Sequence, residues 1–128
     1  MYTSGNDRRI LIVDSDDQFR EGLYNFLLAA GYKDLNATKT FQKAIEKVKK
    51  SAYDAVISEA GSRSMEVLSF VEEMATANPE AKLILMLKVE DHERWKEKAG
   101  LTGIQFLLKP TFPQNLLYLL QELEISKP

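Results

Sequence analysis

The sequence predicts an α/β fold of the (βα)5 type, a doubly wound sheet of five parallel strands with helices on both faces. Three observations carry the prediction. Strand-like apolar runs alternate with helix-period segments five times, with no linker, internal repeat or low-complexity stretch between them. The clearest strands, Ile10-Leu11-Ile12-Val13 and Leu83-Ile84-Leu85-Met86-Leu87, are apolar without interruption, as suits strands buried on both faces. Charged residues then stand at the carboxyl ends of the first, third and fifth strands: Asp14, Glu59 and Lys109. Right-handed crossovers would bring those three ends to one crevice, where ligands of such sheets bind.

In chain order, residues 1–7 read as a flexible N-terminal lead, residues 8–125 as the domain and residues 126–128 as a tail. The first strand spans Arg9 to Val13. Asp16 or Ser15 can cap the first helix, whose apolar positions are Phe19, Leu23, Phe26, Leu27 and Ala30, and Gly31 is a natural stop. A short strand follows from Leu35 to Thr38. Thr40 can cap the second helix, with Phe41, Ala44, Ile45 and Val48 inward and Lys43, Lys47, Lys49 and Lys50 in water. The third strand spans Asp54 to Ser58, with Glu59 at its end. The third helix turns Val67, Leu68, Val71 and Met74 inward and ends near Asn78-Pro79. Glu90 to Ala99 is a short, mostly charged fourth helix in which only Trp95 and Ala99 are clearly apolar. Ile104 to Leu108 is the fifth strand. Pro113 suits the first turn of the last helix, with Leu116, Leu119, Leu120 and Leu123 inward.

Composition excludes several classes of function. The chain has 128 residues, 45% hydrophobic and 28% charged, as expected of one ordinary globular domain. Net charge is −2 without a basic run, which argues against nucleic acid as a partner. Cysteine is absent, so thiolate chemistry and disulfides are excluded. No segment resembles a signal peptide or is apolar for long enough to span a bilayer, so no membrane association and a cytoplasmic location are expected.

The sequence resembles the receiver domain of two-component response regulators, from about Arg8 to about Leu123. Ile10 to Asp14 is similar to the first strand with its acidic pair. Tyr53 to Glu59 is similar to the third strand, which in that family ends in the phospho-accepting aspartate. Met65-Glu66-Val67 falls where Met-Asp-Gly is common, and Phe106 through Lys109-Pro110 matches the switch aromatic, lysine and proline after the fifth strand. The resemblance implies a flavodoxin- and CheY-like sheet of strand order 2-1-3-4-5. It also brings departures. Ser15 stands where the pair's second acid would bind magnesium, and Glu59 stands at the acceptor position. Leu87 is matched to the switch hydroxyl, and Ser62-Arg63 replaces Met-Pro. Asp14 and Lys109 alone are intact, so the resemblance is to a degenerate receiver, a pseudo-receiver.

Phosphoryl transfer relies on charge neutralisation, which magnesium supplies through close oxygen ligands. With Ser15 a poor ligand and Glu59 longer by one methylene, no catalytic residue and no metal is expected. Asp14, Asp16 and Glu59 are the weak candidates for one, and Asp16 is better suited to a helix cap. Glu59 has two readings: it imitates a phosphorylated aspartate by reaching Lys109, or it only balances the charge of Lys109. Leu87 cannot bond a phosphoryl oxygen, so Phe106 is expected as fixed core. His92, the only histidine, reads as a solvated surface residue. Trp95 either pins the fourth helix or faces a partner.

The resulting expectation is a signalling module, not an enzyme, that acts by protein–protein interaction and without phosphorylation. Its alternative is an unorthodox phosphoacceptor of a phosphorelay, taking phosphate from a histidine kinase with magnesium as cofactor. A nucleotide-binding domain is disfavoured because no Gly-rich loop follows the first strand. The expected interaction face, for a protein partner or a homodimer, is that of the fourth helix, fifth strand and last helix. It bears Trp95, Leu117 and Tyr118, an apolar group among charges. An output domain is expected only as part of a longer chain.

Overall fold

A computed structural model describes residues 8–60, 64–88, 91, 104–109 and 113–122. Its parallel sheet contains β1 (Arg9–Val13), β2 (Asp34–Thr38), β3 (Ala55–Glu59), β4 (Lys82–Lys88) and β5 (Gln105–Lys109), in the order β2-β1-β3-β4-β5. Between and after them run α1 (Asp17–Ala29), α2 (Phe41–Lys50), α3 (Ser64–Ala77) and the last helix, here α4 (Pro113–Glu122). The expected fourth helix, with His92 and Trp95, lies outside the described residues apart from Asp91. The expected lead and tail also fall outside them.

The uninterrupted apolar run of β1 follows from the two layers that cover it. Ile10 and Ile12 meet Leu23 and Leu27 of α1 and Leu116 and Leu120 of α4. Leu11 and Val13 turn the other way, onto Ala44 and Val48 of α2 and Phe70 and Met74 of α3. All four are fully buried, each contributing roughly 1.5–3 kcal/mol by removal from water. Further along the second layer, Leu85 and Leu87 pack with Val67, Val71, Ala60 and Ile104.

The helix ends follow local chemistry. Asp16 caps α1 by accepting from the Phe19 amide at 3.1 Å, and Thr40 caps α2 by accepting from the Lys43 amide at 3.1 Å. At the far end of α1, Gly31 adopts φ 108, a left-handed conformation that a Cβ would strain. That turn lets the Gly31 and Tyr32 amides reach back to the carbonyls of Leu28 and Leu27.

Three side-chain expectations need correcting. Ala30, expected on the apolar face of the first helix, is the exposed C-cap beyond its last turn. Phe70, not among the expected inward positions of α3, is 1% exposed and stacks on Phe41 with ring centroids 4.7 Å apart, whereas Leu68 is only partly buried. The buried set 67, 70, 71 and 74 is one continuous helical stripe, and Leu68 lies at its margin. Leu117, expected on the outer face of the last helix, is partly buried against the core shared with α1. Tyr118 projects, at 64% exposure. Among the described residues no helix is long and apolar enough to cross a membrane.

Candidate functional site

At the carboxyl end of the sheet, Asp14 follows β1 directly and is 1% exposed. Its amide donates to the Thr38 carbonyl at 3.1 Å, which continues the β1–β2 ladder by one residue. Its Oδ1 accepts from the Asp16 amide at 2.9 Å, a tight turn that aims the following residues into α1. Arg20, one turn into α1, donates from Nη1 to the Asp14 carbonyl at 2.8 Å and from Nη2 to Asp17 Oδ1 at 2.6 Å. Lys39, after β2, lies 3.3 Å from the same Asp17 oxygen. The Arg20 hydrogen bond, then Lys39, holds the Asp17 carboxyl below the usual carboxylate range. Arg20 and Lys39 were not singled out from the sequence. The i, i+3 spacing of Asp17 and Arg20 was the available signal.

Glu59 closes β3, and its partner is Ser15. The Ser15 amide donates to Oε2 at 2.8 Å and its hydroxyl to Oε1 at 3.2 Å, so each carboxylate oxygen accepts one bond. Parallel pairing in which Val13 faces Ser58 brings these residues together across 44 positions of sequence. Ser58 beneath is fully buried and donates from Oγ to the Glu59 carbonyl at 2.8 Å, steadying the backbone there. The pairing of Glu59 with Lys109 expected from the sequence concerns a side chain outside the described residues, as does the role of Phe106. The backbone of Lys109 stands opposite Lys88 in the β4–β5 register.

Leu87 does not reach this site. It is 1% exposed and packs under α3 with Val67 and Val71. The reason is the pleat. Glu59 is in register with Met86, whose side chain joins the α1 and α4 layer, so Leu87 turns to the opposite face. Lys88, exposed at the end of β4, returns to the Glu59 side. At the end of β4 the residue on the Glu59 side is therefore Lys88, also not singled out from the sequence, and pleat alternation counted from Glu59 was the signal for it. Neither residue offers a hydroxyl.

The oxygens open to a hard cation are few. Both oxygens of Glu59 face Ser15, Oδ1 of Asp16 caps α1, and Oδ1 of Asp14 holds the Asp16 amide. Among the described residues no three acidic or histidine side chains converge as a metal site. As placed, these carboxylates are engaged by the protein's own amide and hydroxyl donors, which compete with any cation for them.

A family model for the response regulator receiver domain matches residues 10–121. The chain belongs to this family. The receiver is similar in structure to the chemotaxis response regulator CheY4 of Vibrio cholerae, at 24% identity and a TM-score of 0.78, covering 90% of this chain and 97% of that one. It is similar to an adenylate cyclase from Rhodopirellula baltica at 18% identity and a TM-score of 0.81, covering 90% and 85%. It is also similar to the inactive form of the regulatory domain of the repressor of iron transport regulator RitR, at 19% identity and a TM-score of 0.79, covering 91% and 94%. No curated protein matches it. At these identities the likenesses establish the fold, and the family match makes the receiver a two-component signalling domain.

Proposed function

We propose that this receiver signals through protein–protein contact without phosphorylation at the end of β3 and without magnesium. The observation that carries the reading is the Ser15–Glu59 pair, with an N–H on one carboxylate oxygen and an O–H on the other. In the family pattern both positions are acids that share a cation. Here a hydroxyl and a carboxylate satisfy each other, and the second acid that would require the cation is gone. To attack phosphorus, Glu59 would have to give up these bonds, from a side chain one methylene longer than aspartate. A displacement of about 1 Å at a reacting centre costs on the order of a hundredfold in rate. The contact surface of this reading includes Tyr118, the more exposed of the two large exposed hydrophobic residues among those described. Its partner is a second protein, a second copy or an output domain.

The test is labelling by acetyl phosphate with magnesium present, read by intact mass. The unmodified chain should take no phosphate, and Ser15→Asp or Glu59→Asp alone should not change that. The two together should restore labelling, since they rebuild the acidic pair and shorten the acceptor. Labelling of the unmodified chain at the rate of the double variant would overturn the reading and leave a working phosphoacceptor receiver.

A further inference from the structure

Strand β2 ends the sheet, and among the described residues nothing pairs with its outer edge. The bond from the Asp14 amide to the Thr38 carbonyl shows which way the ladder alternates. Asp34, Asn36 and Thr38 direct their peptide groups inward to β1, so those of Leu35 and Ala37 point outward. The edge is hollow on both faces. On the α2 side a depression of about 330 Å³ is lined by Arg9, Asp34, Asn36, Lys47, Lys50 and Tyr53. On the α1 side another, of about 490 Å³, is lined by Arg20, Glu21, Tyr24, Asn25 and Ala37.

Charge distinguishes the two hollows. On the α2 side Arg9 is held by Asp34 at 2.9 Å, and among the described residues Lys47 and Lys50 of that depression form no ion pair. Lys43 continues the same stripe one turn back along α2. This concentration of charge sits on a chain whose net charge is −2.

We propose that the β2 edge takes an extended segment of a partner protein as a sixth strand, with acidic side chains on alternate residues meeting Lys47 and Lys50. Each feature constrains the occupant separately. The outward peptide groups of Leu35 and Ala37 require a backbone with its own donors and acceptors, which a free anion or a nucleic acid lacks in this spacing. Hollows on opposite faces match side chains that alternate with period two. Lysines on one face only place the acids on every second residue. The inference is independent of how Glu59 is read. The competing account of lysines beside an open edge is that they merely keep other strands away.

The experiment titrates an eight-residue peptide of alternating glutamate and threonine, with blocked ends, into the isotope-labelled full chain. Amide shifts should centre on Leu35, Ala37, Lys47 and Lys50. Lys47→Glu with Lys50→Glu should weaken binding by about tenfold or more, as expected when two complementary charges are reversed. Ala37→Pro removes one outward donor while sparing the β1 ladder, and should weaken binding with the remaining spectrum intact. Methylating alternate peptide nitrogens should abolish it. Three results would overturn the proposal: no shifts on β2, which leaves a guarded edge; equal binding of the methylated peptide or of polyphosphate, which leaves charge alone; or concentration-dependent shifts at Leu35 and Ala37 without peptide, which make the occupant a second copy.

Discussion

Replacing Ser15 by aspartate tests the Ser15–Glu59 pair from the side of stability. The hydroxyl bond to Oε1 is 3.2 Å long and Ser15 is exposed, so its loss costs about 0.5–1 kcal/mol. The new carboxylate then faces Glu59. Two charges about 4 Å apart repel by about 1 kcal/mol in water and about 4 at an effective dielectric of 20. Exposure at Ser15 puts the real value near the lower end. The total is roughly 2 kcal/mol, a fall in melting temperature of roughly 6–8 °C for a domain of this size. Denaturation in EDTA should show this loss. Magnesium should reverse it, because a ligand at a hundred times its dissociation constant adds about 2.7 kcal/mol. The unmodified chain should not respond to magnesium. The reasoning fails if Ser15→Asp leaves the EDTA midpoint unchanged, since the contact would then not form. It fails equally if the unmodified chain gains as much from magnesium as the variant does.

Other variants probe the remaining parts. Leu87→Thr buries a hydroxyl under α3 and should cost about 1–3 kcal/mol in urea denaturation, whereas Lys88→Thr at the exposed end of β4 should stay within about 0.5. In the Ser15→Asp, Glu59→Asp background, Lys88→Thr should also be the change that makes β4 amide shifts depend on phosphate. Tyr118→Ala should weaken self-association or partner capture, read by sedimentation, and leave the melting temperature nearly unchanged. Asp17 has a folded pKa held below its unfolded value by Arg20 and Lys39, so its contribution to stability is present above the unfolded pKa and lost as pH falls through the folded one. Asp17→Asn should therefore lower the denaturation midpoint at neutral pH and leave it unchanged in acid below the folded pKa.

What the sequence determined by itself is what local chemistry controls. Uninterrupted apolar runs marked the strands because each must be covered on both faces, and helical periodicity marked the inward positions between them. Asp16, Thr40 and Gly31 act within a turn or so of their own positions, so their roles at the helix ends were legible without the rest of the chain. Asp14 and Glu59 were legible as neighbours at one end of the sheet once parallel order was assumed. The tertiary structure alone decided what depends on register between distant strands. Glu59 bonds Ser15 because β1 and β3 pair with Val13 opposite Ser58, a relation no local pattern contains. Leu87 falls in the core and Lys88 at the mouth because the pleat of β4 is set against Glu59 by Met86. Phe70 and Leu117 were assigned only when the helices docked, since a helical stripe has margins whose burial depends on the neighbour. The two hollows beside β2 belong to no segment of sequence, because each is the space left where a helix crosses the edge of the sheet.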